Sequence, residues 1–109
     1  MGLFGSKHPS IDVNEANRRA LAGEVVLVDV REANEWKSGH APMARHIPAG
    51  QLASQLPELA KLGKPIAFIC LSGGRSGSAC GAAAKAGLDV INVKGGMGAW
   101  SSAGLPVAR

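Results

Sequence analysis

Cys70 closes an apolar run, Ile66-Ala67-Phe68-Ile69, and is followed by Leu71-Ser72-Gly73-Gly74-Arg75-Ser76 and an alanine-rich stretch. The pattern is strand, tight loop, helix, with a thiol at the turn. The first amides of a helix have no intrahelical partner and point outward. Together with the helix dipole they favour negative charge. Glycines let successive backbone N–H groups curl into an anion-binding concavity. A cysteine on the rim of such a cradle loses its proton more readily. An ordinary free thiol is only roughly 3% ionised at pH 7, so this shift decides whether the sulfur is a nucleophile. The charge of Arg75 and the hydroxyl of Ser76 are candidates for tuning it; Ser76 is equally suited to capping the helix.

The other chemistry-bearing residues read more quietly. Cys80 falls mid-helix among small residues and reads as core packing rather than as a resolving or redox thiol. Asp29 and Arg31 end a hydrophobic strand, at the sheet edge where ligands bind in open α/β folds. They suit a buried carboxylate and arginine bracing neighbouring loops; Arg31 also suits a substrate oxyanion. His40 has no evident work as a general base, since an ionised thiol needs none. His8 and His46 carry no signal, and Trp36 and Trp100 read as core anchors.

These residues need a scaffold, and the chain alternates strand and helix signals. Residues 1–9 read as a flexible lead and residues 10–109 as one domain. Ser10-Ile11-Asp12-Val13 reads as an edge strand, followed by a helix from Glu15 to Ala22 with Asn14 as its cap and Gly23 as its stop. Val25 to Val30 is β-branched and almost wholly apolar, as in a parallel strand buried on both faces. A short helix over 33–38 carries Trp36, and His46-Ile47-Pro48 is extended. Leu52, Leu56, Leu59 and Leu62 form one apolar stripe on a helix over 51–62, in which Pro57 is placed to start a new turn. The strand ending at Cys70, a helix over 75–85 stopped by Gly87, a strand over 90–93 and a short helix over 97–103 complete the series. Alternation of this kind implies a parallel sheet with helices on both faces.

Composition bounds the function. A chain of 109 residues, 46% hydrophobic and 18% charged, supports one folded core. With two Trp, two Phe and no Tyr it lacks the stacking platforms of single-strand nucleic-acid binders. A net charge of +4 without a dense basic cluster suits a small anionic substrate better than a nucleic acid. No apolar run is long enough to span a membrane, and the start lacks a signal-peptide core. Met1-Gly2-Leu3-Phe4-Gly5-Ser6 does fit the myristoylation pattern. Two cysteines without metal-site spacing imply a reducing compartment and no metal. The expectation is a cytoplasmic protein, monomeric or weakly dimeric.

Several separated stretches together resemble the single-domain rhodaneses, a sulfurtransferase family. They are Leu27-Val28-Asp29-Val30-Arg31-Glu32, Glu35-Trp36 with Gly39-His40, Ile47-Pro48, Cys70 to Ser76, and Gly95-Gly96 before Ala99-Trp100 and Gly104-Leu105-Pro106. The resemblance runs from about Ser10 to the C-terminus. It implies an α/β/α sandwich with a five-stranded, mainly parallel sheet in the order 3-2-4-5-1. It further implies that Cys70 takes a sulfane sulfur from a donor such as thiosulfate or a persulfide, holds it as a persulfide, and passes it to cyanide or a thiol. The amides of Leu71, Ser72, Gly73, Gly74, Arg75 and Ser76 would cradle the terminal sulfur, Asp29 and Arg31 would support the site, and no cofactor is implied. Two-step covalent transfer of this kind gives ping-pong kinetics.

From Cys70 to Arg75 the loop has six residues. The phosphatases and arsenate reductases that share this fold use a loop one residue longer, so this one is sized for sulfur. Two departures stand out. Many thiosulfate-using relatives carry a basic residue where this chain has Leu71, which favours a protein thiol or persulfide donor and leaves Arg75 as the main nearby cation. Met43 replaces a usual glycine after Gly39-His40, which implies a reshaped loop. A persulfide carrier or regulatory module serving a partner protein is the alternative reading.

Overall fold

The β-branched run after Gly23 forms strand β2 (Val26–Asp29), and two further apolar runs form β4 (Ile66–Ile69) and β5 (Val90–Val93). In the computed structural model, which describes residues 8–109, two short edge strands flank them, β1 (Ser10–Ile11) and β3 (Arg45–His46). Among the described residues the sheet has the order β1-β5-β4-β2-β3, with every pairing parallel. Read from the opposite edge this is the 3-2-4-5-1 order implied by the resemblance. The expected flexible lead falls largely, and the myristoylation pattern wholly, on residues 1–7, outside the described residues.

Side-chain alternation explains why the inner strands are almost wholly apolar. Val26, Val28, Ile66, Phe68 and Val90 face one core; Leu27, Ala67, Ile69, Ile91 and Val93 face another. Helices α3 (Leu52–Ala60) and α4 (Gly74–Lys85) cover the first face with Leu52, Leu59, Ala79, Cys80 and Ala83. Helices α1 (Val13–Leu21) and α5 (Gly96–Ser102) cover the second with Val13, Ala16, Met97 and Trp100. Trp100 is fully buried and its indole N–H donates to the Pro106 carbonyl at 2.8 Å, so the apolar ring is buried without an orphaned donor. Cys70 continues the alternation of β4 into the α3/α4 face.

Several boundaries differ from the sequence reading. Helix α1 begins two residues earlier, capped by Asp12, whose carboxylate accepts from the Glu15 amide at 2.8 Å. Asn14 lies inside that first turn. Starting early buries Val13, which the edge strand would have left outside the helix. A 3-10 turn (Ala49–Gln51) leads into α3, which passes through Pro57 without interruption and stops before Leu62. Helix α2 (Ala33–Ser38) buries none of its residues. Trp36 is therefore not a core anchor: it is half-buried and stacks on the rings of His40 (3.5 Å between centroids) and His46 (4.7 Å). After His40, a tight turn closed by the Ala44 amide on the Ala41 carbonyl packs Met43 against the α1/α5 core.

Candidate active site

The loop after β4 leaves the sheet at its C-terminal edge and enters α4 through Gly73, whose φ of 119° lies in the region that favours glycine. That turn aims the loop amides back at the preceding sulfur. The Gly73 N–H donates to Cys70 Sγ at 3.1 Å, and Ser76 Oγ lies 3.3 Å from it. Burial pushes the Cys70 thiol up. The Ser76 hydroxyl and the amides of Ser76, Gly73 and Ser72 outweigh that, and the thiol lies below its ordinary value. Cys70 is 1% exposed, so a small set of fixed donors rather than bulk water sets the charge of its sulfur.

A second element pins the loop from the other side. The Met97 amide donates to the Cys70 carbonyl at 2.8 Å and the Gly98 amide to the Leu71 carbonyl at 3.0 Å. A Cβ on Gly96 would stand 2.4 Å from the Cys70 carbonyl oxygen, so α5 approaches this closely because Gly96 has no side chain. The Gly95-Gly96 pair thus fixes the course of the active loop as well as turning the chain into α5.

Of the residues singled out in the sequence, Cys70 through Ser76 form this one loop, and Asp29 and Arg31 stand beside it on the neighbouring strand edge. Asp29 and Arg31 are buried against each other: Arg31 Nη2 lies 2.8 Å from Asp29 Oδ2, and Nε reaches both carboxylate oxygens at 3.0 and 3.1 Å. Arg31 Nη2 also donates to the Gly39 carbonyl at 2.7 Å. The Arg31 carbonyl accepts at 2.8 Å from His46 Nε2, which must carry the proton because a carbonyl only accepts. The guanidinium is thereby committed to bracing the loops after β2 and α2, and this geometry leaves the sulfur cradle to the loop itself.

Arg75 feels the charge of Cys70, but its guanidinium is hydrogen-bonded elsewhere. Its Nη1 and Nη2 donate to Glu35 Oε1 and Oε2 at 2.7 and 2.9 Å, a bidentate pair strapping α2 to the start of α4. The Arg75 hydrogen bonds, with a further one from the Glu32 amide, hold the Glu35 carboxyl down at about 2, against the work of partial burial. Glu35 and Asn92 are the participants that the sequence reading missed as such. Asn92 lies on β5, where its Oδ1 is 2.6 Å from Ser76 Oγ and its Nδ2 donates to the Gly73 carbonyl at 3.3 Å. A polar residue inside an otherwise apolar buried strand was the available signal.

Cys80 sits deeper in the same core, and burial alone pushes its thiol up to about 11. Both cysteines are free. Among the described residues no group of His, Cys, Asp and Glu is arranged to hold a metal ion, and no helix is long and apolar enough to cross a membrane. Beside the loop, a groove of about 460 Å³ is lined on one side by the apolar Leu71, Met97, Leu105 and Val107 and elsewhere by polar residues that include Arg31 and Arg109. Leu71 is half-exposed there.

Comparison with known proteins agrees with this arrangement. The family model described as Rhodanese-like domain matches residues 12–103. A sulfurtransferase of Allochromatium vinosum is 33% identical over 93 residues, covering 84% of this chain and 86% of that one. An HTH-type transcriptional regulator of Mycobacterium tuberculosis is 38% identical over 109 residues, covering 96% of this chain but 47% of the regulator, so the chain spans about half of that relative's length. Among solved structures, a Rhodopseudomonas palustris protein of unknown function, described as a possible tyrosine phosphatase, superposes with a TM-score of 0.86 at 29% identity, covering 94% of this chain and 86% of that one. The motifs around Cys70, the parallel sheet order and the family match over residues 12–103 converge: the chain belongs to the rhodanese-like family.

Proposed function

We propose that this domain is a sulfurtransferase that carries a sulfane sulfur as a persulfide on Cys70. The observation that carries the reading is the loop geometry: a buried sulfur that receives the Gly73 amide at 3.1 Å, beside a hydroxyl at 3.3 Å, with its thiol held below the ordinary value. The Cys70 thiolate attacks the sulfane sulfur of the donor, a new S–S bond forms, and the donor leaves as sulfite or as a thiolate. A thiophilic acceptor, cyanide or a thiol, then attacks the terminal sulfur and Cys70 leaves as thiolate. The amides of residues 71–76 stabilise the charge on the terminal sulfur, and electrostatic stabilisation by preorganised donors is commonly the largest catalytic term.

Two features favour an organic or protein persulfide donor over thiosulfate. Arg75 is already neutralised by Glu35, so the loop offers a dianion little net positive charge. Leu71 and the apolar wall that Met97, Leu105 and Val107 give the adjoining groove suit an organic or polypeptide substituent. The same features support a second reading, a persulfide carrier that discharges only to a partner protein. The 38% identity to part of a transcriptional regulator is consistent with such a module working inside or beside a larger protein. A phosphatase reading has less support, since the six-residue loop is short for phosphate and its arginine is held outward by Glu35.

The test is steady-state sulfur transfer to cyanide, with thiosulfate and with a low-molecular-weight persulfide as donors, beside hydrolysis of an aryl phosphate. Turnover with a higher kcat/KM for the persulfide donor is expected. Loading without turnover moves the assignment to the carrier, and phosphate hydrolysis without sulfur transfer overturns both.

A further inference from the structure

Ser76 has one hydroxyl proton and three acceptors around it: Asn92 Oδ1 at 2.6 Å, the Gly73 carbonyl at 3.2 Å and Cys70 Sγ at 3.3 Å. The chemistry of the neighbours decides where the proton goes. A carbonyl only accepts, so the Asn92 atom facing the Gly73 carbonyl is the amide nitrogen, and the atom facing Ser76 is the amide oxygen. That oxygen has no hydrogen. An O···O separation of 2.6 Å is therefore bridged by the Ser76 proton. The Gly73 carbonyl is already served by the Gly77 amide at 3.0 Å and by Asn92 Nδ2. With its proton on Asn92, Ser76 turns a lone pair toward the sulfur, an arrangement that suits a neutral thiol donating to Ser76 and does not suit a thiolate.

We propose that Asn92 is a positioning residue that competes with Cys70 for the Ser76 proton, so that the hydroxyl faces Asn92 while the sulfur is protonated or sulfurated and swings to the sulfur when it is a thiolate. The covalent framework is untouched by the swing. The thiol proton leaves to a water or buffer base, the Ser76 O–H rotates from Asn92 Oδ1 to Sγ, and the charge stays on sulfur. In the persulfide the inner sulfur carries no charge, and the hydroxyl is returned to Asn92. Asn92 thus stabilises the states in which Cys70 Sγ is uncharged, and opposes the thiolate. The charged groups at this end of the sheet include Arg75 with its partner Glu35 and nearby Glu32, the Asp29–Arg31 pair after β2, Lys94 after β5 and Arg109 in the groove beside Leu71; Cys80 lies in the same core. The side-chain hydrogen bonds of Asn92 go to Ser76 and Gly73 and to none of these groups.

This inference rests on Cys70 as the reacting sulfur, but alkylation reads its ionisation whether or not it carries sulfur, so the two readings fail separately. The experiment is alkylation of Cys70 by iodoacetamide across pH, resolved from Cys80 by peptide mass, in the wild type and in Asn92→Ala, Asn92→Asp, Ser76→Ala and the Ser76→Ala/Asn92→Ala and Ser76→Ala/Asn92→Asp pairs. Asn92→Ala should move the Cys70 midpoint to lower pH by about three- to tenfold in ionisation constant, the worth of one hydrogen bond. Asn92→Asp, a near-isostere, keeps the test open if Asn92→Ala does not fold: its added negative charge raises the midpoint by repulsion with or without Ser76, so it is read beside the Ser76→Ala/Asn92→Asp pair, where the rise should be smaller, and an equal rise counts against the proposal. Combined with Ser76→Ala, the alanine at 92 should add nothing. A midpoint that stays or rises in Asn92→Ala, or an Asn92→Ala shift that persists without Ser76, overturns the proposal.

Discussion

Cys70 and Cys80 lie in one hydrophobic core, both free and both almost fully buried, yet their thiols move in opposite directions. Cys80 is surrounded by the small apolar residues of α4, and burial pushes it up to about 11. Cys70 is subject to the same burial, but it ends a strand that faces the start of a helix, and there amides and a hydroxyl converge on its sulfur. Burial by itself makes a thiol inert. Burial with aligned donors makes a shielded thiolate whose nucleophilicity is not blunted by water. What separates Cys70 from Cys80 is the set of donors beside its sulfur, the Gly73 amide and the Ser76 hydroxyl.

The largest test of this contrast is replacement. Cys70→Ser should abolish persulfide formation, while Cys80→Ser should retain most of it; equal loss in two folded variants would erase the contrast. The next is pH. Cys70 should be alkylated at a pH below that of an ordinary thiol, and Cys80 only toward about 11. Stability should follow with opposite signs. The raised Cys80 thiol contributes stability that is present below about 9.0 and is lost as pH rises toward about 11, so Cys80→Ala should flatten that alkaline decline in denaturant titrations. The lowered Cys70 thiol contributes stability that is present above 9.0 and fades as pH falls through its folded value.

Smaller effects refine the comparison. Ser76→Ala removes a donor to the thiolate and should move the Cys70 alkylation midpoint to higher pH by severalfold in ionisation constant, leaving Cys80 unchanged. Glu35→Gln should have the smallest effect on stability, under about 1 kcal/mol by thermal unfolding, because exposed pairs contribute little. It should nonetheless raise kcat/KM for thiosulfate relative to a persulfide, in a salt-dependent way, by releasing the charge of Arg75. Glu35 titrates down near 2, so the strap that this variant removes is intact in the wild type at every ordinary assay pH.

What was legible in the sequence was local or periodic. Three continuous apolar runs revealed the inner strands, and a cysteine, two glycines and a helix start within seven residues revealed the loop. The strand order came with the family resemblance. What escaped depends on residues distant in sequence. Glu35 meets Arg75 across 40 positions, and Asn92 meets Ser76 across 16, and neither pairing leaves a spacing to read. Trp36 was misjudged because a large aromatic usually goes inside. Its short helix instead buries none of its residues, and the ring finds the faces of His40, just after the helix, and of His46 on the edge strand β3. Asp12 displaced Asn14 as the first cap because burial of Val13 decides where α1 begins.

The most direct test of the central claim is peptide-level mass analysis after brief exposure to a sulfane-sulfur donor. The account predicts one added sulfur atom on Cys70, removed by cyanide or a thiol, and none on Cys80. An unmodified Cys70 in the folded protein, or sulfur on Cys80 instead, would contradict it.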